Sequence, residues 1–553
     1  MRSALADLIL SARHTDRRVE RAAIIAVVLV YVVVGLIGHD PWKQDETYAT
    51  SIIHHMDQTE DWVVPQSAGR PFMEKPPLYF LVAEETVDVF DWLPLHDAAR
   101  LSNVLWMFMV IACIAVAGRI AWPEAPNADI GAVLALISSL GLVVHAHTLL
   151  VDVALVAGFA LGLLGALLVL RRPMLGGMLF GTGAGVAFLA KGLLGPGCLA
   201  ASMLFLVVLF ERWRSRSVAK GMAVAVVAML PWLVVWPLAL HDRSPALFDE
   251  WLWQQNVGRF LGYAHLGAAP EPWYYFRTAP AFTFPVVLFA AWTVWTRRRT
   301  LLGDAPLQLC VVAAATIFAT LSVAGSMRAL YLLPLLVPLA LLAGAGVETL
   351  PPSWQRRSAA AAYGVYSALA MALWLLYLAI AGDAIPEWLA TEGIVPRGSV
   401  AQPEALSVMA AVLVSLAWLA NSRWTTGRLL ALRNWAFGLS LVWVLVATLH
   451  MPWINEAKSY RAMFEEMKQQ LPTKFDCVKS YRLGESEAAM LEYEGGITTV
   501  RAEDHPDAQC QLFWLQGGSL SVMPSSLRGW RLVWSGHRLG DKKELHRLFA
   551  RGD

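Results

Sequence analysis

Residues 22–38 read AAIIAVVLVYVVVGLIG, and the chain passes straight from them into HDPWKQDETYA at His39–Ala49. The first stretch is uncharged and approaches the roughly 20 apolar residues that cross a bilayer. The second places Asp45 and Glu46 just beyond it. An uncharged run opening into a charged loop is the unit from which a membrane-spanning bundle is built. The same unit recurs along the chain, at about 101–118, 130–147, 153–170, 173–190, 192–210, 221–240, 279–296, 307–327, 329–347, 358–382, 405–422 and 434–452, which makes about thirteen spans. Composition agrees. The 553 residues are 57% hydrophobic and 16% charged, against about 25% charge in soluble domains, which excludes a wholly soluble enzyme. A net charge of +1 gives no sign of a nucleic-acid partner. Five cysteines do not make a disulfide scaffold, and 24 tryptophans suit a bilayer interface.

Lys and Arg in the loops set the orientation. Arg13, Arg17, Arg18 and Arg21 precede the first span. Further clusters are Arg171-Arg172, Arg212 to Lys220, Arg297 to Arg299, Arg356-Arg357, and Arg423, Arg428 and Arg433. With the spans above, all of these fall on one side, the cytoplasm. Loops 39–100, 241–278 and 383–404 fall outside. Residues 78–93 (LYFLVAEETVDVFDWL) look helical, but Glu84, Glu85 and Asp88 would be costly in mid-bilayer. Counting them as a span would also invert every later basic loop. They read as an amphipathic helix on the outer surface. No small-residue cleavage site follows the first run, so it does not read as an ordinary signal peptide.

Beyond about residue 453 charge returns. Residues 1–453 read as an all-α polytopic membrane domain whose first outer loop is 39–100. Residues 454–553 read as a small outer α/β domain. In that tail, 456–471 has a helical stripe of Met463, Phe464, Met467 and Leu471. Strand-like runs follow at 477–481, 497–501, 511–515 and 531–534, with a helical piece at 485–493. Cys477 and Cys510 pair if the compartment is oxidising, or are two buried thiols. Cys113, Cys198 and Cys310 lie in spans as packing residues.

The polar residues near the outer face need explaining. DWVVP (Asp61–Pro65) and GRPFMEKPPLY follow the first acid pair, and Pro76-Pro77 give Glu74 and Lys75 a rigid approach to the surface helix. Each acid alone is compatible with a solvated loop; the ordered set is harder to explain that way. Asp152 in HAHTLLVDVALVAG stands at the start of a span, either as a functional acid or as an N-cap. His145 and His147 nearby fit interfacial packing better than metal. Lys191 in FLAKGLLGPG wants an anion or snorkels to water. Arg259, flanked by aromatics, and Arg328 in GSMRALYLLP complete the set. Topology puts Lys75, Lys191, Arg259 and Arg328 on one face with Asp45, Glu46, Glu74 and Asp152. Cations and carboxylates together at the outer leaflet suit a lipid-linked phosphate with a base nearby.

At these residues the sequence resembles the lipid-linked-sugar glycosyltransferases of the GT-C fold. The likeness is to the protein O-mannosyltransferase superfamily, and in particular its bacterial branch, the lipid A 4-amino-4-deoxy-L-arabinose transferases. The matching pieces are Asp45-Glu46 with Tyr48, DWVVP, EKPPLY, Asp152, Ala190-Lys191-Gly192, Asn256 to Arg259-Phe260, and Arg328, Tyr331 and Pro334. The resemblance covers about residues 20–340.

It implies an undecaprenyl-phosphate-type sugar donor and an acceptor glycosylated, with inversion, at the periplasmic face of the inner membrane. It makes Asp45 the base candidate beside Glu46, with Asp152 as a second acid. Lys75, Lys191, Arg259, Arg328 and Tyr331 are the donor-phosphate residues. Acceptors to weigh are lipid A, a protein hydroxyl or a surface glycan. Glu74 is the candidate ligand for a possible divalent cation. Gln254 stands where the branch has a metal-binding His, and Arg328 stands where it has Lys. The N-terminus is expected in the cytoplasm and the C-terminal domain in the periplasm. The competing class is a lipid-linked-sugar flippase or transporter. Transporters usually show internal repeats and mid-membrane broken helices, and the sequence shows no repeat.

Overall fold

The computed structural model describes residues 21–264, 271–385, 387–391, 395, 404–423, 427–517, 529–541 and 544–551. Arg13, Arg17 and Arg18, and most of loop 383–404, lie outside the described residues. Helices stand at every expected span position. Among the described residues, eight are long and apolar enough to cross a bilayer. Two positions hold bent pairs: Ala128–Ile137 with Leu140–His147, bent by 68°, and Tyr274–Phe282 with Val286–Thr300, bent by 98°. Three hold shorter apolar helices, Arg21–Val33, Leu194–Leu209 and Ala405–Asn421. Both bends have local causes. Ser138 and Ser139 turn their hydroxyls onto the Ala135 and Leu136 carbonyls at 2.8 Å, which competes with the helix ladder. Pro285 removes a donor at the second bend.

Helices Val151–Val169 and Pro173–Lys191 form an antiparallel hairpin. Glycines make it possible. A Cβ on Gly158 would lie 2.7 Å from the Gly183 carbonyl oxygen, and one on Gly183 would lie 2.6 Å from the Gly158 carbonyl oxygen. With no side chain between them, the two backbones approach closely. Because the helices run in opposite directions, Asp152 at the start of one and Lys191 at the end of the other share one end of the bundle. Arg171-Arg172 occupy the turn at the other end.

The first loop leaves α1 (Arg21–Val33) and forms α2 (Asp45–Thr59). A short hairpin follows, β1 (Gln66–Ser67) with β2 (Arg70–Pro71), and then α3 (Leu78–Val89). Twelve residues make α3, too few for the roughly 20 of a span.

The last span does not stop near 453; helix continues through Leu430–Lys458. The expected helix over 456–471 is therefore divided between Met451–Lys458 and Arg461–Lys468. Met463, Phe464 and Met467 of the second piece are buried as a stripe. They cover one face of a five-stranded sheet in the order β4-β3-β5-β7-β6. Its strands are β3 (Val478–Tyr481), β4 (Val500–Arg501), β5 (Leu512–Gln516), β6 (Trp530–Gly536) and β7 (His546–Arg551). β3 pairs parallel with β4 and β5, and β7 pairs antiparallel with β5 and β6. Helix Glu485–Tyr493 stands where sequence placed it; β7 had no counterpart in that reading. Cys477 and Cys510 are joined, with 5.0 Å between their Cα atoms.

Candidate functional site

Asp45 is the first residue of α2, at the end of a loop that turns back from the bundle. Arg328 donates to it through both guanidinium nitrogens, at 3.0 and 2.5 Å, and the Tyr48 hydroxyl donates at 2.5 Å. This fork is a strong, geometrically specific pairing. Arg328 itself is held at the start of the turn Ala329–Leu335. The Tyr275 hydroxyl is 3.3 Å from both its backbone N–H and its carbonyl. Burial pushes the Asp45 carboxyl up, but Arg328 and the Tyr48 hydroxyl outweigh it and hold it below its ordinary value.

Asp152 and Lys191 form a buried ion pair across the glycine-packed hairpin. The Lys191 ammonium also lies 4.1 Å over the Tyr331 ring. The chain turns directly after Lys191 because Gly192 adopts φ +76°, a region closed to most side chains. A Cβ there would collide with Asn256. The Asn256 side-chain oxygen instead accepts from the Leu193 N–H at 3.0 Å and ties the 250–258 segment to this turn.

Glu74 accepts from Lys75 at 2.6 Å and from Arg259 at 2.7 Å. Burial raises its carboxyl, yet the two cations win and hold it down to about 2. Burial lowers the Lys75 ammonium, and Glu74 brings it back above its usual value. The buried Arg259 Nε has no hydrogen-bond partner. Glu74, Lys75, Lys191, Arg259 and Tyr331 line part of a cavity of about 400 Å³. The rest of its lining is mostly apolar, including Leu194, Gly197, Cys198, Leu321 and Ala324, with Gln255, Asn256, Thr320 and Ser326 as the polar residues. It thus sets buried cations beside apolar side chains in one cavity.

Asp45 and Arg328 stand beside this cavity rather than in its wall. Lys75 is within electrostatic reach of Asp45, and His145 is within reach of both Asp45 and Asp152. Eight of the nine candidate residues are thereby brought to one place. Glu46 is not. Its carboxylate is buried and receives Arg100 Nε at 2.8 Å, the Leu149 N–H at 3.0 Å and the Trp42 N–H at 3.1 Å. His145 and His147 bond to carbonyl oxygens, His147 through both ring nitrogens.

Around Glu74 the neighbours are cations. Among the described residues no three His, Cys, Asp or Glu side chains gather as a metal site. This donor set does not fit a divalent ion, and no step is derived through one. Sequence reasoning passed over Arg100, which lies just before an apolar run, and Lys43, which sits two residues before Asp45.

No family model matches the chain. Curated relatives do. One is the undecaprenyl phosphate-alpha-4-amino-4-deoxy-L-arabinose arabinosyl transferase of Serratia proteamaculans, 26% identical over 330 residues, which is 58% of this chain and 57% of that protein. The transferase of the same name from Pseudomonas aeruginosa strain UCBPP-PA14 is 27% identical over 435 residues, 76% of this chain and 73% of the relative. The match to the Serratia protein spans less than two thirds of that relative's length. Among solved structures, ArnT from Cupriavidus metallidurans bound to undecaprenyl phosphate superposes with a TM-score of 0.71 at 18% identity, over 95% of this chain and 97% of the other. The chain has the GT-C fold. It is a multi-pass membrane protein of that class, and its curated relatives are aminoarabinose transferases.

Proposed function

We propose that the chain transfers a sugar from an undecaprenyl-phosphate-type donor to an acceptor at the periplasmic face of the inner membrane. Aminoarabinose and lipid A are the favoured sugar and acceptor. The observation that carries this is the cavity lined by Lys75, Lys191 and Arg259 together with mostly apolar side chains. A polyprenyl phosphate has that division, a charged head on a long hydrocarbon chain. The names of the relatives point the same way.

In the reaction the anomeric C–O bond to the donor phosphate breaks, and the phosphate leaves with added negative charge. Cations already in place stabilise that charge without reorganising, each worth about 3–4 kcal/mol. Asp152 keeps Lys191 aimed at the cavity. An acceptor oxygen attacks from the opposite face, which inverts the anomeric centre. Asp45 is ionised and bound to Arg328, so it is a weak base. An acceptor phosphate is already anionic and needs no base, and this favours lipid A phosphate over a protein hydroxyl. Arg328 then offsets the repulsion between Asp45 and the incoming anion.

The Cys477–Cys510 disulfide supports an oxidising compartment for the C-terminal domain. With Arg171-Arg172 at the bundle end away from Asp152 and Lys191, the site then faces the periplasm and the N-terminus the cytoplasm.

The test uses the purified chain in lipid nanodiscs with labelled undecaprenyl-phosphate aminoarabinose and lipid A. Sugar on lipid A with release of undecaprenyl phosphate is expected. Movement of intact donor across a liposome membrane without cleavage would make the protein a transporter instead.

A further inference from the structure

The segment 40–43, which leads into Asp45, is held by the bundle at its start, where Arg100 donates to the Asp40 carbonyl at 3.1 Å, and beyond that by the end of the last span and the C-terminal domain. Asn455 is the first clamp. Its carbonyl oxygen accepts from the Asp40 N–H at 2.8 Å and from the Trp42 indole at 3.1 Å, while its amide donates to the Asp40 carboxylate at 3.0 Å. The Ser459 hydroxyl and Arg461 also reach that carboxylate, at 2.7 and 2.6 Å.

Lys43 is the second clamp. Its ammonium lies 2.6 Å from Glu487 and 2.6 Å from Glu544, both buried in the C-terminal domain. The Tyr460 hydroxyl bridges the same two acids, and Arg538 donates to Glu544 at 2.7 Å. Two buried carboxylates this close repel each other unless cations lie between them. Of the described cations bonded to them, Arg538 belongs to the C-terminal domain and Lys43 to the first loop. The domain's own charge cluster is therefore completed only when the loop is seated. Further along α2, Ser51 donates to Glu492 at 2.9 Å, so the contact follows the helix away from Asp45.

We infer that Lys43 is a positioning residue: by docking between Glu487 and Glu544 it makes the C-terminal domain a brace that holds Asp45 in register with Arg328 and the donor cavity. This rests on the transferase reading above. A buried carboxylate pair deprived of one cation expels or distorts the loop, and a misplacement of about 1 Å at a catalytic group can cost about 100-fold in rate. Lys43 touches neither the cavity nor its walls, so binding of the donor is spared.

The experiment compares wild type, Lys43→Met, Lys43→Arg, Asp45→Asn and the double variant Lys43→Met/Glu487→Gln, all as full-length protein in nanodiscs. Turnover of the labelled donor and hydrogen–deuterium exchange along α2 are measured on each. For Lys43→Met, kcat is expected to fall about 10- to 100-fold with KM for the donor within about twofold. Exchange in the first turn of α2 should rise. Lys43→Arg and the double variant, which removes the acid left without a cation while Glu544 keeps Arg538, should recover most of both losses. Wild-type kcat and unchanged α2 exchange in Lys43→Met overturn the inference, as does an equal loss in the double variant. The exchange readout does not depend on turnover. If wild type and Asp45→Asn are equally inactive while α2 loosens as expected, the transferase reading fails and the brace stands.

Discussion

Asp45 and Glu46 are neighbours in sequence, yet Asp45 meets Arg328 beside the cavity while Glu46 turns inward to Arg100. A helix separates adjacent side chains by about 100° around its axis, so one of the pair had to face the interior. Sequence showed the pair but not which acid faced which way, because that depends on Arg100, Asp97 and the His39 carbonyl meeting in space. The two acids should therefore respond differently to loss of charge. Asp45→Asn breaks the fork that orients Arg328 toward the incoming acceptor and is expected to lower kcat by about 100-fold, with a smaller loss of thermal stability than at Glu46 because the Asp45–Arg328 pair is less buried. Glu46→Gln leaves Arg100 short of a buried partner, which costs about 3–5 kcal/mol. It should lower the unfolding temperature in detergent far more than it lowers kcat of the surviving folded protein. A pH profile adds a second check. The Glu74 carboxyl is depressed in the folded protein, from 4.5 to about 2. Its ion pairs thus contribute stability above the ordinary carboxyl range and lose it only as pH falls toward the lower value. Activity should show no acid limb from Glu74 between about pH 5 and 8. Because Glu74 is saturated by two cations, a chelator such as EDTA should leave turnover unchanged.

At the level of elements, the hairpin Val151–Val169 with Pro173–Lys191 brings Asp152 to Lys191, and it does so through glycine contacts. Gly183→Leu should separate the helices, weaken the ion pair and lower both stability and donor binding. Gly192→Ala should act more locally. It forces a Cβ into a left-handed turn and against Asn256, for about 1–2 kcal/mol from the backbone alone. Disordering of the Lys191 turn would show as raised hydrogen–deuterium exchange there. Much of this level was legible beforehand. Apolar runs and basic loops placed the spans, and the three carboxylates of α3 kept it out of the count. The bends at Ser138-Ser139 and Pro285 were hidden, since periodicity alone does not show where a helix ladder gives way. The tail was less legible for a related reason. β7 (HRLFAR) lacks an alternating pattern, because both of its faces are largely covered.

For the whole molecule, the site is assembled from segments hundreds of residues apart: the first loop, the glycine hairpin, the 250–261 segment and Arg328 with Tyr331. Topology alone predicted their common face, but the pairings among them are tertiary facts. Docking of the C-terminal domain on α2 had no sequence signal, since a Lys in a charged loop looks solvated until Glu487 and Glu544 are seen around it. The Cys477–Cys510 crosslink closes a loop of 33 residues, which contributes about 3–4 kcal/mol in the chain-entropy model. Replacing both cysteines with serine should lower the unfolding temperature of the C-terminal domain and, through the brace, soften α2. The central claim at this scale is that the cations lining the cavity grip a polyprenyl phosphate. The direct measurement is equilibrium binding of undecaprenyl phosphate to folded wild type, Lys191→Met, Arg259→Met and the control Arg214→Met, whose exposed residue ends the short turn Glu211–Arg214, across helix Leu194–Leu209 from Lys191. Binding at least about tenfold weaker in the first two variants, with the control unchanged, is the predicted result. Equal affinity across all four proteins would contradict the account.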